Sequence, residues 1–280
     1  MAKRAVLVGI NNYSQSNATL RGCINDITMM NTMLIRNFGF DATNIRMLVD
    51  AKATKPNVLE KLRWLVADAE PGDVLVFHYS GHGSLITLKD ERGQIIDRQQ
   101  PIICTYELNW SDPLTFREVG KVLVAPEGVN ITSILDCCHS GHDFRELQNP
   151  GLTFASRQTV GETKPRFLAA PVDPSVTMPS AKAVVDPRKL SEDTDILLTG
   201  CAVAETSADA FINGSYRGAF TYSLYQALTA ANYKIDYLNT LARTAQNLKK
   251  SGFQQNPQIE GAMKLARWPV FGNPTPVVKK

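Results

Sequence analysis

Along the chain, short apolar runs rich in β-branched residues alternate with stretches in which apolar positions recur every three or four residues. Arg4 to Ile10, Asn44 to Val49, Asp73 to Tyr79, Val129 to Leu135 and Asp195 to Thr199 each end in a polar or Gly-rich turn, and they predict strands buried on both faces. Between the first two, Ile24, Ile27, Met30 and Leu34 fall at helical spacing, with Gly39 placed to end the helix. Thr54 stands as the cap of a second helix that carries Pro56 in its first turn, where a missing N–H costs nothing, followed by Leu59, Leu62, Leu65 and Val66. Two more helical stretches run from Gly218 to Ala231 and from Lys234 to Leu248. Strand and helix alternate, which implies a mostly parallel sheet with helices on both faces.

The pattern fails from about Gln148 to Glu192, where Pro150, Pro165, Pro171, Pro174, Pro179 and Pro187 interrupt any helix. An irregular segment of that length inside one domain points to a functional reason, usually a lid or a processing segment. It divides the chain into a first part, 1–147, and a second, 193–280.

Composition narrows the class. The 280 residues are within reach of one large α/β core, and 44% hydrophobic with 20% charged residues is ordinary for a globular chain. A net charge of +3 without a dense Lys/Arg run gives no footprint for nucleic acid. The opening MAKRAVLVGI lacks a small-residue cleavage site and reads as a first strand; with no apolar stretch near the length of a membrane span, no membrane association is expected and the cytoplasm is the default location. Five cysteines, an odd number, do not make a disulfide framework and are expected to be reduced.

All four histidines fall in HYSGHGS, holding His78 and His82, and DCCHSGHD, holding His139 and His142. Each segment follows an apolar run, so both are expected at carboxyl ends of strands, where open α/β sheets bind their ligands. Cys138, at a strand end beside a Gly-containing turn, is expected to present its sulfur to solvent, with an adjacent imidazolium or helix start favouring the thiolate. His82 lies between Gly81 and Gly83, which permit a sharp turn and close approach of a substrate backbone. The N–H groups of Gly83 and Cys138 are then candidates for an oxyanion site. Cys137 turns to the opposite face as a small buried hydrophobe, His78 reads as a hydrogen-bonded core histidine, and His139 and His142 shape the loop. Two other classes find less support. The His and Cys set includes zinc ligands, but its His-x3-His straddles a strand and a Gly turn; and no G-x-G-x-x-G or Walker sequence supports a nucleotide-binding signalling domain.

HYSGHGS and DCCHSGH resemble the His and Cys motifs of the metacaspases and their bacterial relatives, the orthocaspases. LRGCIND, TGCAVAETSADA and GAFTYSL follow in that family's order, so the resemblance spans nearly the whole chain. It implies a caspase-like three-layer α/β sandwich, with 1–147 as the large-subunit-like region, 148–192 as linker and 193–280 as the small-subunit-like region of one domain. It also implies a cysteine endopeptidase acting on proteins or peptides, with Cys138 as nucleophile and His82 as general acid/base. The family's acidic S1 pocket maps onto Asp26 and Asp136, and Asp136 shares a face with Cys138 if the strand persists; two carboxylates there suit Arg or Lys at P1. Arg21, nearby, would instead suit an acidic P1, as in animal caspases; a signal-activated immune effector protease is a further alternative. Calcium-dependent members carry an acidic run after the His motif. Here only Asp90, Glu91 and Asp97 stand there, so calcium activation finds little support, no metal residue is assigned and no cofactor is expected. Self-cleavage in the linker is expected after one of Arg157, Lys164, Arg166, Lys182, Arg188 or Lys189.

Overall fold

The computed structural model describes residues 1–89, 94–138, 162–171, 195–202, 205–261 and 263–272. A six-stranded sheet forms the middle layer. Its strands are β1 (Lys3–Gly9), β2 (Ile45–Val49), β3 (Val74–Ser80), β7 (Asn130–Asp136), β9 (Asp195–Thr199) and β12 (Gln258–Gly261), in the order β12-β9-β7-β3-β1-β2. All neighbours are parallel except β12, which runs antiparallel to β9. The predicted strands sit within one residue of their expected places, because buried parallel strands read as continuous apolar runs.

Successive residues of β1 divide between two cores. Ala5 and Leu7 meet α1 (Cys23–Phe38), α4 (Ala219–Ala230) and α5 (Tyr237–Lys250) through Ile27, Met30, Leu34, Phe220, Leu224 and Tyr237. Val6 and Val8 face α2 (Lys55–Val66) and α3 (Phe116–Val122), with Val58, Leu62 and Leu65 buried against them. Gly39 ends α1 in the left-handed region at φ 69°, as expected, whereas the Thr54 side chain makes no capping hydrogen bond to α2.

Two small sheets accompany the central sheet among the described residues. One is the antiparallel set β4 (Gly83–Lys89), β5 (Ile95–Ile103) and β6 (Leu114–Thr115), which begins directly at the His82 turn. The other holds β10 (Ala208–Ile212) between β11 (Ser215–Gly218) and β8 (Thr163–Pro165). β8 comes from the proline-rich stretch between the two parts, which sequence alone reads as irregular throughout. No described helix is long and apolar enough to cross a membrane.

Candidate active site

β3 and β7 are adjacent and parallel with Ser80 opposite Asp136, so the turns that follow them, carrying His82 and Cys138, emerge side by side. The His82 turn is braced by two tyrosines. The Tyr13 hydroxyl accepts the His82 N–H at 2.7 Å, and Tyr79 Oη lies 2.7 Å from His82 O and 2.8 Å from Cys104 O. A Cβ on Gly81 would collide with both hydroxyls. Glycine is needed there for close approach rather than for the backbone turn expected from sequence, since Gly81 is absent from the positive-φ positions.

The imidazole has a defined tautomer. Nε2 lies 3.0 Å from Ala18 O, and a carbonyl can only accept, so the proton sits on Nε2 and Nδ1 is a bare lone pair. Nδ1 has no hydrogen-bond partner. Burial pushes the imidazole down to about 4, against the opposing effect of the Ala18 carbonyl.

Cys138 does not present its sulfur to solvent. It is 0% exposed and packs with Phe167 and Cys201. The Ser207 N–H donates to Sγ at 2.7 Å. Burial raises the thiol well above the ordinary range, and contact with the Cys201 thiol adds to this. Burial thus favours a neutral thiol and a neutral imidazole at rest over the thiolate expected from sequence. A chain segment packs over Cys138 through Phe167, and its Arg166 carbonyl reaches the N–H groups that follow both His82 and Asp136.

That segment is 162–171. β8 pairs antiparallel with β10, with Pro165 opposite Ala208 and Thr163 opposite Ala210, and Arg166 N–H extends the ladder to Ser207 O at 2.9 Å. The Arg166 carbonyl accepts from Gly83 N–H at 3.0 Å and from Cys138 N–H at 3.2 Å. Beyond it the segment runs beside the start of β4: Phe167 bridges Gly83 in parallel fashion, and Leu168 N–H donates to Gly83 O at 3.0 Å.

The Arg166 side chain is fully buried among three carboxylates. Its Nη2 lies 2.8 Å from Asp26 Oδ2 and 2.9 Å from Asp209 Oδ1, and Nη1 lies 3.2 Å from Asp136 Oδ2 and 2.8 Å from Ser80 Oγ. Each carboxylate is also held from behind. Asp26, in the first turn of α1, accepts from Ser80 Oγ and from Gly218 N–H at the start of α4. Asp136 accepts from Ser207 Oγ and from both Thr221 N–H and Thr221 Oγ1, so the N-terminus of α4, with its unpaired N–H groups and positive dipole end, faces this carboxylate. Asp209 accepts from Arg21 N–H and Gly22 N–H. Burial raises Asp26 to about 6, with the Arg166 guanidinium pulling the other way.

Asp26 and Asp136 thus converge, with two residues sequence reasoning missed. Asp209 lies within TGCAVAETSADA, where only strand alternation on β10 and the distant pairing with β8 give it direction. Sequence marks Arg166 only as one of six basic candidates for a cut. Arg21 stands outside the pocket, donating to Glu162 Oε2 at 2.7 Å and to Tyr216 Oη at 2.6 Å. His78 is buried as expected, with Nε2 3.4 Å from Thr221 Oγ1, and Cys137 is buried on the α2 side of the sheet. His139, His142, Asp90, Glu91, Arg157, Lys182, Arg188 and Lys189 lie outside the described residues. Among the described residues no three His, Cys, Asp or Glu side chains converge as a metal site.

Residues 3–145 match the family model for the metacaspase, peptidase C14 domain. The chain belongs to the metacaspase family. Metacaspase-2 of Trypanosoma brucei brucei is 30% identical over 94% of this chain and 74% of its own. Metacaspase-1 of Schizosaccharomyces pombe is 29% identical over 92% of this chain, which spans 66% of that longer protein. A crystal structure of a Geobacter sulfurreducens protein superposes with a TM-score of 0.71 at 19% identity, covering 98% of this chain and 100% of that one, and shows the same fold. The fold is accordingly the caspase-like α/β sandwich of the C14 peptidases.

Proposed function

We propose that this metacaspase hydrolyses peptide bonds after Arg or Lys through a thioester on Cys138, and that its own Arg166–Phe167 bond is a substrate. The observation that carries the reading is the placing of one residue: the Arg166 carbonyl receives two backbone N–H groups while its guanidinium fills the acidic pocket.

These contacts support the following chemistry. His82 Nδ1 takes the Cys138 thiol proton as Sγ adds to the Arg166 carbonyl carbon, and the N–H groups of Gly83 and Cys138 stabilise the developing oxyanion. Collapse breaks the C–N bond, and the proton on Nδ1 passes to the Phe167 nitrogen. Water then gives its proton to His82 and attacks the thioester, leaving the Arg166 carboxylate and restoring the thiol. Starting from neutral partners, the proton moves with the nucleophile's attack rather than before it. The three carboxylates favour a basic P1 and oppose the acidic P1 that Arg21 suggested.

Incubating the purified chain and measuring intact masses tests this. Fragments 1–166 and 167–280 are expected from the wild type and a single chain from Cys138→Ala and His82→Ala. A cut elsewhere, or equal cutting in Cys138→Ala, overturns the assignment.

A further inference from the structure

Burial along the bound segment is uneven. Glu162, Thr163 and Pro165 are exposed and Lys164 is half-buried, and β8 is held through backbone pairing with β10 next to the exposed Glu162–Arg21 ion pair. A backbone ladder of this kind holds any extended residue and reads little of its identity. The two residues flanking the Arg166–Phe167 bond are buried instead, with Phe167 9% exposed against the Cys138 and Cys201 sulfurs. Thioether and thiol sulfur form favourable contacts with aromatic rings. Leu168 and Ala170 rest on the large core beneath β4. The leaving side is also fixed in register, because Gly83 donates to the Arg166 carbonyl and accepts from Leu168 N–H, while Ser84 Oγ donates to Leu168 O at 2.5 Å.

We propose that this enzyme selects substrates on the leaving side of the cleaved bond: beyond a basic P1 it takes an aromatic or large apolar P1′ and an apolar P2′, and the residues preceding P1 are held mainly through backbone. This rests on the peptidase reading above and names its substrate class as basic–aromatic–aliphatic sequences in extended chain. Ser84 is a positioning residue for the P2′ carbonyl.

The test uses the full chain and internally quenched peptides built on Thr-Lys-Pro-Arg-Phe-Leu. Because the bound segment competes equally with every peptide, ratios of kcat/KM are unaffected by it. Replacing Phe by Ala is expected to lower kcat/KM roughly tenfold or more, as the loss of a buried aromatic side chain implies. Phe to Asp, or Leu to Asp, is expected to lower it further, and alanine at the Thr or Pro position before Arg to change it by no more than about threefold, since those two side chains are exposed. Ser84→Ala lowers the ratio of the quenched-peptide rate to that of an arginyl coumarin amide, which has no leaving-side residues; a merely structural role would move both together. Arg-dependent cleavage with equal rates across P1′ and P2′ overturns this inference and spares the peptidase. Absence of any cleavage, of peptides and of the segment alike, overturns the peptidase reading and this inference with it.

Discussion

Arg166→Gln isolates the plug from the rest of the molecule. The wild-type guanidinium is buried with ion pairs to Asp26, Asp136 and Asp209 at 2.8, 3.2 and 2.9 Å. Removing one member of a buried ionic cluster costs about 3–5 kcal/mol, because the opposite charges remain without a partner. Here the loss falls on the segment's attachment rather than on the sheet, since release of the segment lets water reach the carboxylates. At about 1.4 kcal/mol per tenfold, the ratio of covered to open sites falls by roughly a hundredfold to several thousandfold. A tethered segment presents itself at an effective concentration on the order of millimolar, so a loss of that size is needed to open the site at all. The expected result is a chain that is no longer cut at 166, that hydrolyses an added arginyl peptide from time zero roughly tenfold or more faster than uncut wild type, and whose Cys138 reacts faster with iodoacetamide. Arg166→Lys keeps a cation without the planar fork that reaches several acceptors, so it is expected to be cut, more slowly. If Arg166→Gln is cut at the wild-type rate, or its peptide and alkylation rates equal those of uncut wild type, residues 162–171 do not close the site and the reasoning fails.

Asp209→Asn keeps an acceptor for Arg21 and Gly22 but removes a charge, and it is expected to lower kcat/KM on arginyl peptides roughly 10- to 100-fold, the worth of one charge-assisted bond, with melting temperature measured alongside to separate folding from binding. Gly218→Ala would place a methyl group against the Asp136 carboxylate and 2.5 Å from Arg166 Nη1, so both self-cleavage and hydrolysis after Arg should be lost in a protein whose circular dichroism is unchanged. In the proposed mechanism the working form of His82 is neutral, and its folded value of about 4 lies below the ordinary value, so self-cleavage should hold as pH falls until that lower range is reached. The acid limb of the single-turnover rate is expected below the ordinary histidine value of about 6.5, moving up toward it for added peptides once the site is open to water; a self-cleavage midpoint at or above 6.5 would contradict the burial argument.

The sheet was legible because its strands are buried on both faces and leave unbroken apolar runs, as in Leu75, Val76 and Phe77. The antiparallel hairpin β4–β5 and the short β10 and β11 carry mixed, partly polar sequences whose partners are distant, and no local period announces them. Within the site, His82 and Cys138 stood out through their glycines and neighbours. Asp26 was legible through its motif, whereas Asp209 reaches Arg166 only after β10 pairs with β8. The burial of Cys138 is hidden from the sequence for a similar reason. A thiol at a strand end looks solvated until a segment more than twenty residues further along lies over it, and nothing near Cys138 in sequence encodes that cover.

The central sheet takes β9 and β12 from beyond the Arg166–Phe167 bond and β1, β2, β3 and β7 from before it, while β8 and β10 pair across the same divide. A cut there turns one chain into two strands of a single hydrogen-bonded weave, so the product is a heterodimer by covalent count and one body by structure. Its unfolding releases two molecules where the intact chain releases one. The melting temperature of the nicked protein therefore rises with protein concentration, while that of the uncut chain does not.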